Sequence, residues 1–140
     1  MIETYRGLVY PRQLDHMGHM NVQYYTARFD AATWHLFSAL GLTLDYINET
    51  NTGMAALEQT THYKAEVMSG ALLVIRSGVL EVRNKTVRYI HQMYDAEKDS
   101  LAATSELVAA HLDRKARKAI PLPAFVAEKA EALMVETSDA

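Results

Sequence analysis

Apolar residues recur at Val22, Tyr25, Phe29, Ala32, Leu36 and Leu40. Steps of three and four put them on one stripe of a helix. Asn21 stands ahead of the stripe as a side-chain cap, and Gly41 stops it. Trp34 and Phe37 fall off the stripe, so the predicted helix is apolar over most of its circumference. A helix of that kind is wrapped by other elements rather than laid on a surface. Ahead of it, residues 5–10 read as a short strand ended by Pro11. A short helical piece is expected over 43–48.

After a break at Asn51-Thr52-Gly53 the pattern changes. Residues 54–66, 71–83, 86–95 and 100–113 are four runs rich in β-branched and aromatic residues. Their separators (Met68-Ser69-Gly70, Asn84-Lys85, Glu97-Lys98-Asp99) are short, which predicts antiparallel pairing between neighbours in the chain. Runs of about ten residues span roughly 33 Å at strand rise. A helix of roughly 19 residues spans roughly 29 Å. These matched lengths predict an α+β fold, a long helix lying along a curved antiparallel sheet. Pro121 and Pro123 end the last strand, and a C-terminal helix is expected over about 123–136. The run 100–113 is apolar on both faces in places, at Leu101, Ala102 and Ala103 and again at Leu107, Val108, Ala109 and Ala110. One face can cover the helix. The other predicts self-association through the sheet, as a homodimer or a dimer of dimers.

Composition narrows the classes. A chain of 140 residues, 49% hydrophobic and 22% charged, is expected to fold as one domain over 1–140. Its lack of cysteine excludes disulfides, thiolate metal sites and a cysteine nucleophile. A net charge of −3 speaks against a nucleic-acid partner. The start of the chain carries Glu3 and no apolar signal core, and no run approaches the ~20 residues of a membrane span. A cytoplasmic protein without a membrane partner is expected.

Candidate chemistry gathers in Asp15-His16-Met17-Gly18-His19-Met20-Asn21, just ahead of the long helix. Backbone N–H groups at a helix start stabilise developing negative charge. A carboxylate held opposite them can attack an acyl carbon or activate water while the amides hold the oxyanion. The plainer reading of the same residues is a turn and a cap, which Asp, Gly and Asn commonly make. His16 and His19 offer no ligand set on a fixed face, so no metal is expected. Nucleophile-elbow, dinucleotide and P-loop signatures are absent from the sequence.

The pattern Asp15-x-x-Gly18-His19-x-Asn21-x-x-x-Tyr25, between a short strand and a long apolar helix, resembles the 4-hydroxybenzoyl-CoA thioesterase family. The similarity extends to Lys85-Thr86 and to the ending Asp113-Arg114-Lys115-Ala116-Arg117-Lys118-Ala119-Ile120-Pro121. The resemblance implies a hotdog fold and hydrolysis of an acyl-CoA thioester, with no cofactor beyond the CoA of the substrate. It makes Asp15 the catalytic carboxylate and Gly18 the turn that lets backbone approach the thioester. His19 and Asn21 match a polar pair of one subgroup, and the amide near Val22 matches the oxyanion contact, with Tyr25 closing the motif. Other subgroups carry their carboxylate on the helix, where this chain offers Asp30, a turn or more deeper. The segments 15–21, 29–34 and Ala55-Ala56-Leu57-Glu58-Gln59 look like thioesterases of carnitine breakdown, which act on betainyl-CoA.

Glu58 is a second candidate, because a carboxylate in an apolar stretch is costly to bury unless paired or used. It is expected either to reach the reaction centre from a second subunit or to be exposed. CoA phosphates call for cations, for which Arg83, Lys85 and Arg88 (with Thr86) and the pair Arg117 and Lys118 are the candidates. Two rival readings stand beside the thioesterase. One is a hotdog hydratase or dehydratase using His62 with Glu58. The other is a non-catalytic acyl-CoA binding module.

Overall fold

A computed structural model describes residues 1–136. The chain runs as β1 (Ile2–Leu8), α1 (Val22–Ala39), α2 (Leu44–Thr50), β2 (Thr52–Tyr63), β3 (Leu72–Val82), β4 (Thr86–Asp95), β5 (Ser100–Asp113), β6 (Lys118–Ala119) and α3 (Ala124–Ala130). Short 3₁₀ turns stand at Pro11–Gln13 and Glu131–Leu133. The sheet is antiparallel in the order β1-β3-β4-β5-β2, with β6 paired to the end of β5.

Alternation along the central strands explains where α1 lies. Leu73, Ile75, Ser77 and Val79 of β3 are fully buried, as are Val87, Tyr89, His91 and Met93 of β4. At a period of two these residues share one face. They pack against Phe29, Ala32 and Leu36 of α1 and against Leu40 at its C-cap, which are also fully buried. The expected wrapped helix is present, but not on every side. Phe37 is buried, whereas Trp34 is 47% and Val22 56% exposed. Thr33 puts a hydroxyl into this core, where it meets His91 Nε2 at 2.8 Å, and Ser77 meets His91 Nδ1 at 2.5 Å. Burial without a carboxylate partner pushes the His91 pKa down to about 3, so the ring is neutral.

Three expectations are corrected. First, β2 and β3 are not neighbours, although a short link joins them. The link 64–71 instead crosses the end of the sheet, where Lys64 and Ala65 donate to the Ala102 carbonyl and Gly70 donates to the Val9 carbonyl. This leaves β2 on the outside, paired only to β5 along its length. Second, the C-terminal α-helix stops at Ala130 rather than near 136, because the following residues turn back onto β3. Val135 donates to the Val79 carbonyl at 2.9 Å, and its side chain covers Gly78. The last four residues of the chain lie outside the described part. Third, the second face of β5 is not an exposed apolar surface. Arg88 of β4 and Glu106 of β5 pair across it, and Ala102, Thr104 and Ala110 are buried. Large apolar side chains stay exposed on the β2 edge instead, at Leu57 (60%) and Tyr63 (48%). The strand starts also shift, with β1 beginning at Ile2 and β2 at Thr52.

Candidate active site

The loop 15–19 is closed like a small hairpin by the bridge between Leu14 and Met20. Asp15 donates to the His19 carbonyl at 3.1 Å, and Gly18 donates to the Asp15 carbonyl at 3.0 Å. Gly18 sits at φ +86° with open space around it, so backbone conformation, not crowding, asks for glycine there. Asp15 Oδ1 accepts from the Met17 amide at 2.8 Å, and Oδ2 accepts from Asn21 Nδ2 at 3.4 Å. The carboxylate is thus held from both sides while half-buried.

Asn21 also builds the helix start. Its Oδ1 accepts from Gln23 N at 3.0 Å and its carbonyl accepts from Tyr24 N at 3.0 Å. Among the described residues nothing accepts from the amide of Val22, the first helical residue. Asp15 and Val22 line one open cleft of about 270 Å³, together with His19, Tyr25, Tyr63 and Glu66. Tyr25 is buried, its hydroxyl donates to the Ala65 carbonyl at 3.4 Å, and its ring meets Tyr63 edge to face at 5.0 Å. Burial first, and then the neighbouring Tyr63 and Glu66, raises the Tyr25 pKa, so its phenol stays protonated. His19 Nε2 lies 3.9 Å from Glu66 Oε1. The loop motif therefore converges, with Asp15, Gly18, His19, Asn21, Val22 and Tyr25 at one place.

Several contributors carry no signal in the local sequence. Tyr63 and Glu66 reach the cleft because the link after β2 folds under the loop, where Met20 donates to the Val67 carbonyl at 2.7 Å. Arg28 and Gln13 brace the loop from below. Arg28 is 5% exposed and donates to the Tyr5 hydroxyl, to the Leu8 carbonyl at 3.3 Å and to Gln13 Oε1 at 2.7 Å. The same Gln13 oxygen accepts from Tyr10 N at 3.0 Å, and the Gln13 carbonyl accepts from Asn21 N at 2.9 Å. Arg28 Nε is buried without a partner. A charged residue next to Phe29 on a core helix was the available hint.

Other candidates sit elsewhere. Glu58 follows a bulge in β2 and is exposed. It lines a separate outer cleft of about 520 Å³ with Arg83, Thr86 and Arg88. Five residues of strand separate it from Tyr63, about 17 Å. Glu58 and His62 are four residues apart, about 13 Å, which is too far for an acid–histidine dyad within one chain. Arg83 already pairs with Glu81 at 3.0 Å, and Arg88 pairs with Glu106. The turn carrying Lys85 meets the segment after Lys118, since Leu122 donates to the Asn84 carbonyl at 2.8 Å. Arg117 occupies a left-handed turn position at φ 57°. The two basic segments are therefore neighbours at one end of the sheet. Asp15 lies at the other end of the sheet in the same protomer, where Met20 donates to the Val67 carbonyl ahead of β3. Among the described residues there is no cluster of three His, Cys, Asp or Glu able to hold a metal ion. No described helix is long and apolar enough to cross a membrane.

Comparison with known proteins bears on the family and the fold. The betainyl-CoA thioesterase of Pseudomonas aeruginosa is 26% identical over 95% of this chain and 84% of its own length. A Rhizobium meliloti L-carnitine dehydrogenase/betainyl-CoA thioesterase is 27% identical over 83% of this chain. This chain spans only 23% of that relative's length. A Staphylococcus aureus protein solved in complex with CoA superposes at a TM-score of 0.86, with 17% identity, over 99% of this chain and 90% of its own. The 1,4-dihydroxy-2-naphthoyl-CoA thioesterase of Synechocystis superposes at 0.79 with 18% identity, over 92% of this chain and 95% of its own. At such identities the superpositions speak for the fold, which is the hotdog fold. The thioesterase-like superfamily profile matches residues 9–130, and with the loop, wrapped helix and strand order in agreement, the chain belongs to that superfamily.

Proposed function

We propose that the chain is an acyl-CoA thioesterase that hydrolyses a small acyl-CoA to the free acid and CoA. The observation carrying this reading is that Asp15 and Val22, whose amide has no partner among the described residues, line the same cleft. An acyl carbonyl with its oxygen on the Val22 amide is stabilised as negative charge develops there, with the start of α1 adding its positive end. Asp15 supplies the attack, either by taking a proton from water or by bonding to the carbonyl carbon itself. Oxygen adds to the carbon, the C–S bond breaks, and the thiolate leaves with the electron pair; in the second route water then cleaves the mixed anhydride, releasing the acid and restoring the carboxylate. A thiolate is far less basic than an amine anion, so no strong general acid is needed. Oxygen-18 single turnover separates the two routes. Label carried into Asp15 supports an anhydride, and label confined to the released acid counts against an anhydride opened at the aspartyl carbon.

The similarity to betainyl-CoA thioesterases makes betainyl-CoA the first substrate to try. CoA is the only partner molecule the reading requires, and no cofactor enters it. A second copy of the chain does enter it. Leu57 and Tyr63 are exposed on the unpaired edge of β2. Two such edges pairing antiparallel bury both. They also bring the Asp15 end of one protomer toward Glu58 and the basic end of the other, where Arg83, Lys85, Thr86, Arg88, Arg117 and Lys118 are available to CoA phosphates. A panel of acyl-CoA esters followed by free-thiol release tests the activity. Thiol release that depends on Asp15 supports the reading, and binding of the esters without any release contradicts it.

A further inference from the structure

We infer that a small cleft between β1 and α1 binds a small carboxylate, with the buried guanidinium of Arg28 as its counter-charge. This site goes beyond the proposed hydrolysis and shares no lining residue with the Asp15 cleft. Tyr5 of β1, Gln13, and Tyr24, Ala27 and Arg28 of α1 line a space of about 130 Å³. That is roughly the volume of four waters in the liquid. β1 is the opposite edge of the sheet from β2, away from the proposed pairing of β2 edges.

Arg28 is 5% exposed, and its three acceptors are all neutral: the Tyr5 hydroxyl, the Leu8 carbonyl and Gln13 Oε1. Its Nε has no acceptor at all. Among the described residues no carboxylate forms an ion pair with it, and the nearby Glu3 pairs with Arg6 at 2.7 Å instead. A charge taken out of water is costly unless an opposite charge meets it. The lining around the guanidinium offers donors rather than acids. The Tyr5 oxygen already accepts from Arg28, which leaves its hydroxyl hydrogen for a ligand. Gln13 Oε1 accepts from both Arg28 and Tyr10 N, which leaves its amide NH₂ as the open end. One positive charge flanked by neutral donors, with no second base in the lining, balances a monoanion and not a dianion. A guanidinium is weakly hydrated and matches the two oxygens of a carboxylate, so a carboxylate is the anion this site suits.

The test uses acetate as the probe, replacing chloride at constant ionic strength and pH 7.5. Binding is read by thermal melts and by saturation transfer from the protein to the acetate methyl group. Wild type is expected to show saturable transfer and a melting temperature raised by about 3 °C or more as acetate approaches ~100 mM. Arg28→Met removes the charge and is expected to abolish both effects. Ala27 is an exposed lining residue, so Ala27→Met fills the cleft while leaving every Arg28 hydrogen bond in place. It is expected to abolish the response too, and it decides the matter alone where Arg28→Met fails to fold. Inorganic phosphate, titrated in the same way, is expected to bind more weakly than acetate. Absence of a saturable acetate effect in wild type, an undiminished effect in Ala27→Met, or tighter binding of phosphate than of acetate overturns the inference. None of these readouts involves thioester hydrolysis, so the proposed function stands or falls separately.

Discussion

Asp15 is a turn former and a catalytic candidate at once, and its two oxygens divide these tasks. Oδ1 closes the turn onto Met17 N, while Oδ2 takes only the long contact from Asn21. Replacing it with asparagine keeps an acceptor for the turn, so Asp15→Asn is expected to fold as wild type does. The loop was legible in the sequence because its chemistry is local, running from Asp15 to Tyr25 with every member in place. Glu66 and Arg28 were not, because each arrives through a fold that crosses the chain. Arg28 reaches the loop through Gln13, whose carbonyl accepts from Asn21 N, and Asn21 in turn donates to Asp15. Removing the shared acceptor strands a buried guanidinium whose Nε is already unpartnered. Gln13→Ala is therefore expected to cost about 1–3 kcal/mol of stability, the penalty for a buried unsatisfied donor. It is also expected to lower kcat more than it raises KM. Chemical denaturation and steady-state kinetics read the two effects, and a Gln13→Glu variant that restores both supports bracing rather than simple loss of packing.

The elements were predicted more securely than their neighbours. Matching periodicity announced α1 and the β3–β4–β5 meander, because apolar spacing reports directly on which face is buried. Link length misled on β2, since an eight-residue link such as 64–71 can close a hairpin or cross a sheet end. Only its contacts with Ala102 and Val9 decide between them. The polar spot in the core, with Thr33, Ser77 and His91 linked between α1 and the sheet, was equally hidden within apolar runs. It carries a consequence for pH. The His91 pKa is about 3 in the folded chain, against 6.5 when unfolded, so the unfolded state binds the extra proton between those values. Stability contributed by the neutral ring is present above pH 6.5 and falls as the pH drops, by at most about 1.4 kcal/mol per unit. His91→Gln is expected to unfold at a lower temperature at pH 7 but to lose less on acidification to pH 4.5. Equal slopes for the two proteins in thermal melts across that range contradict the assignment.

At the scale of the whole molecule, the described protomer separates what hydrolysis needs. Asp15 and the basic segments lie at opposite ends of the sheet, and apolar surface is left on the β2 edge between them. The proposed pairing of two β2 edges accounts for all three features. Leu57→Asp places a charge on that edge, far from Asp15 in the same chain. It is expected to give monomers in sedimentation and to lower kcat/KM at least tenfold, while far-ultraviolet circular dichroism stays unchanged. A fully active monomer contradicts the composite site. The face of β5 carries the Arg88–Glu106 pair rather than an open apolar surface, so the case for self-association passes to the β2 edge. The exposed edge becomes visible only once β2 is known to be outermost.

The central claim is that the Asp15 carboxylate carries out the hydrolysis, and one comparison tests it most directly. Wild type and Asp15→Asn are assayed for thiol release at saturating acyl-CoA, with thermal melts run in parallel. The account predicts superimposable melts and a kcat reduced by about 10²–10⁴, the range for loss of a positioned acid–base group. A kcat within twofold of wild type in the folded variant contradicts it.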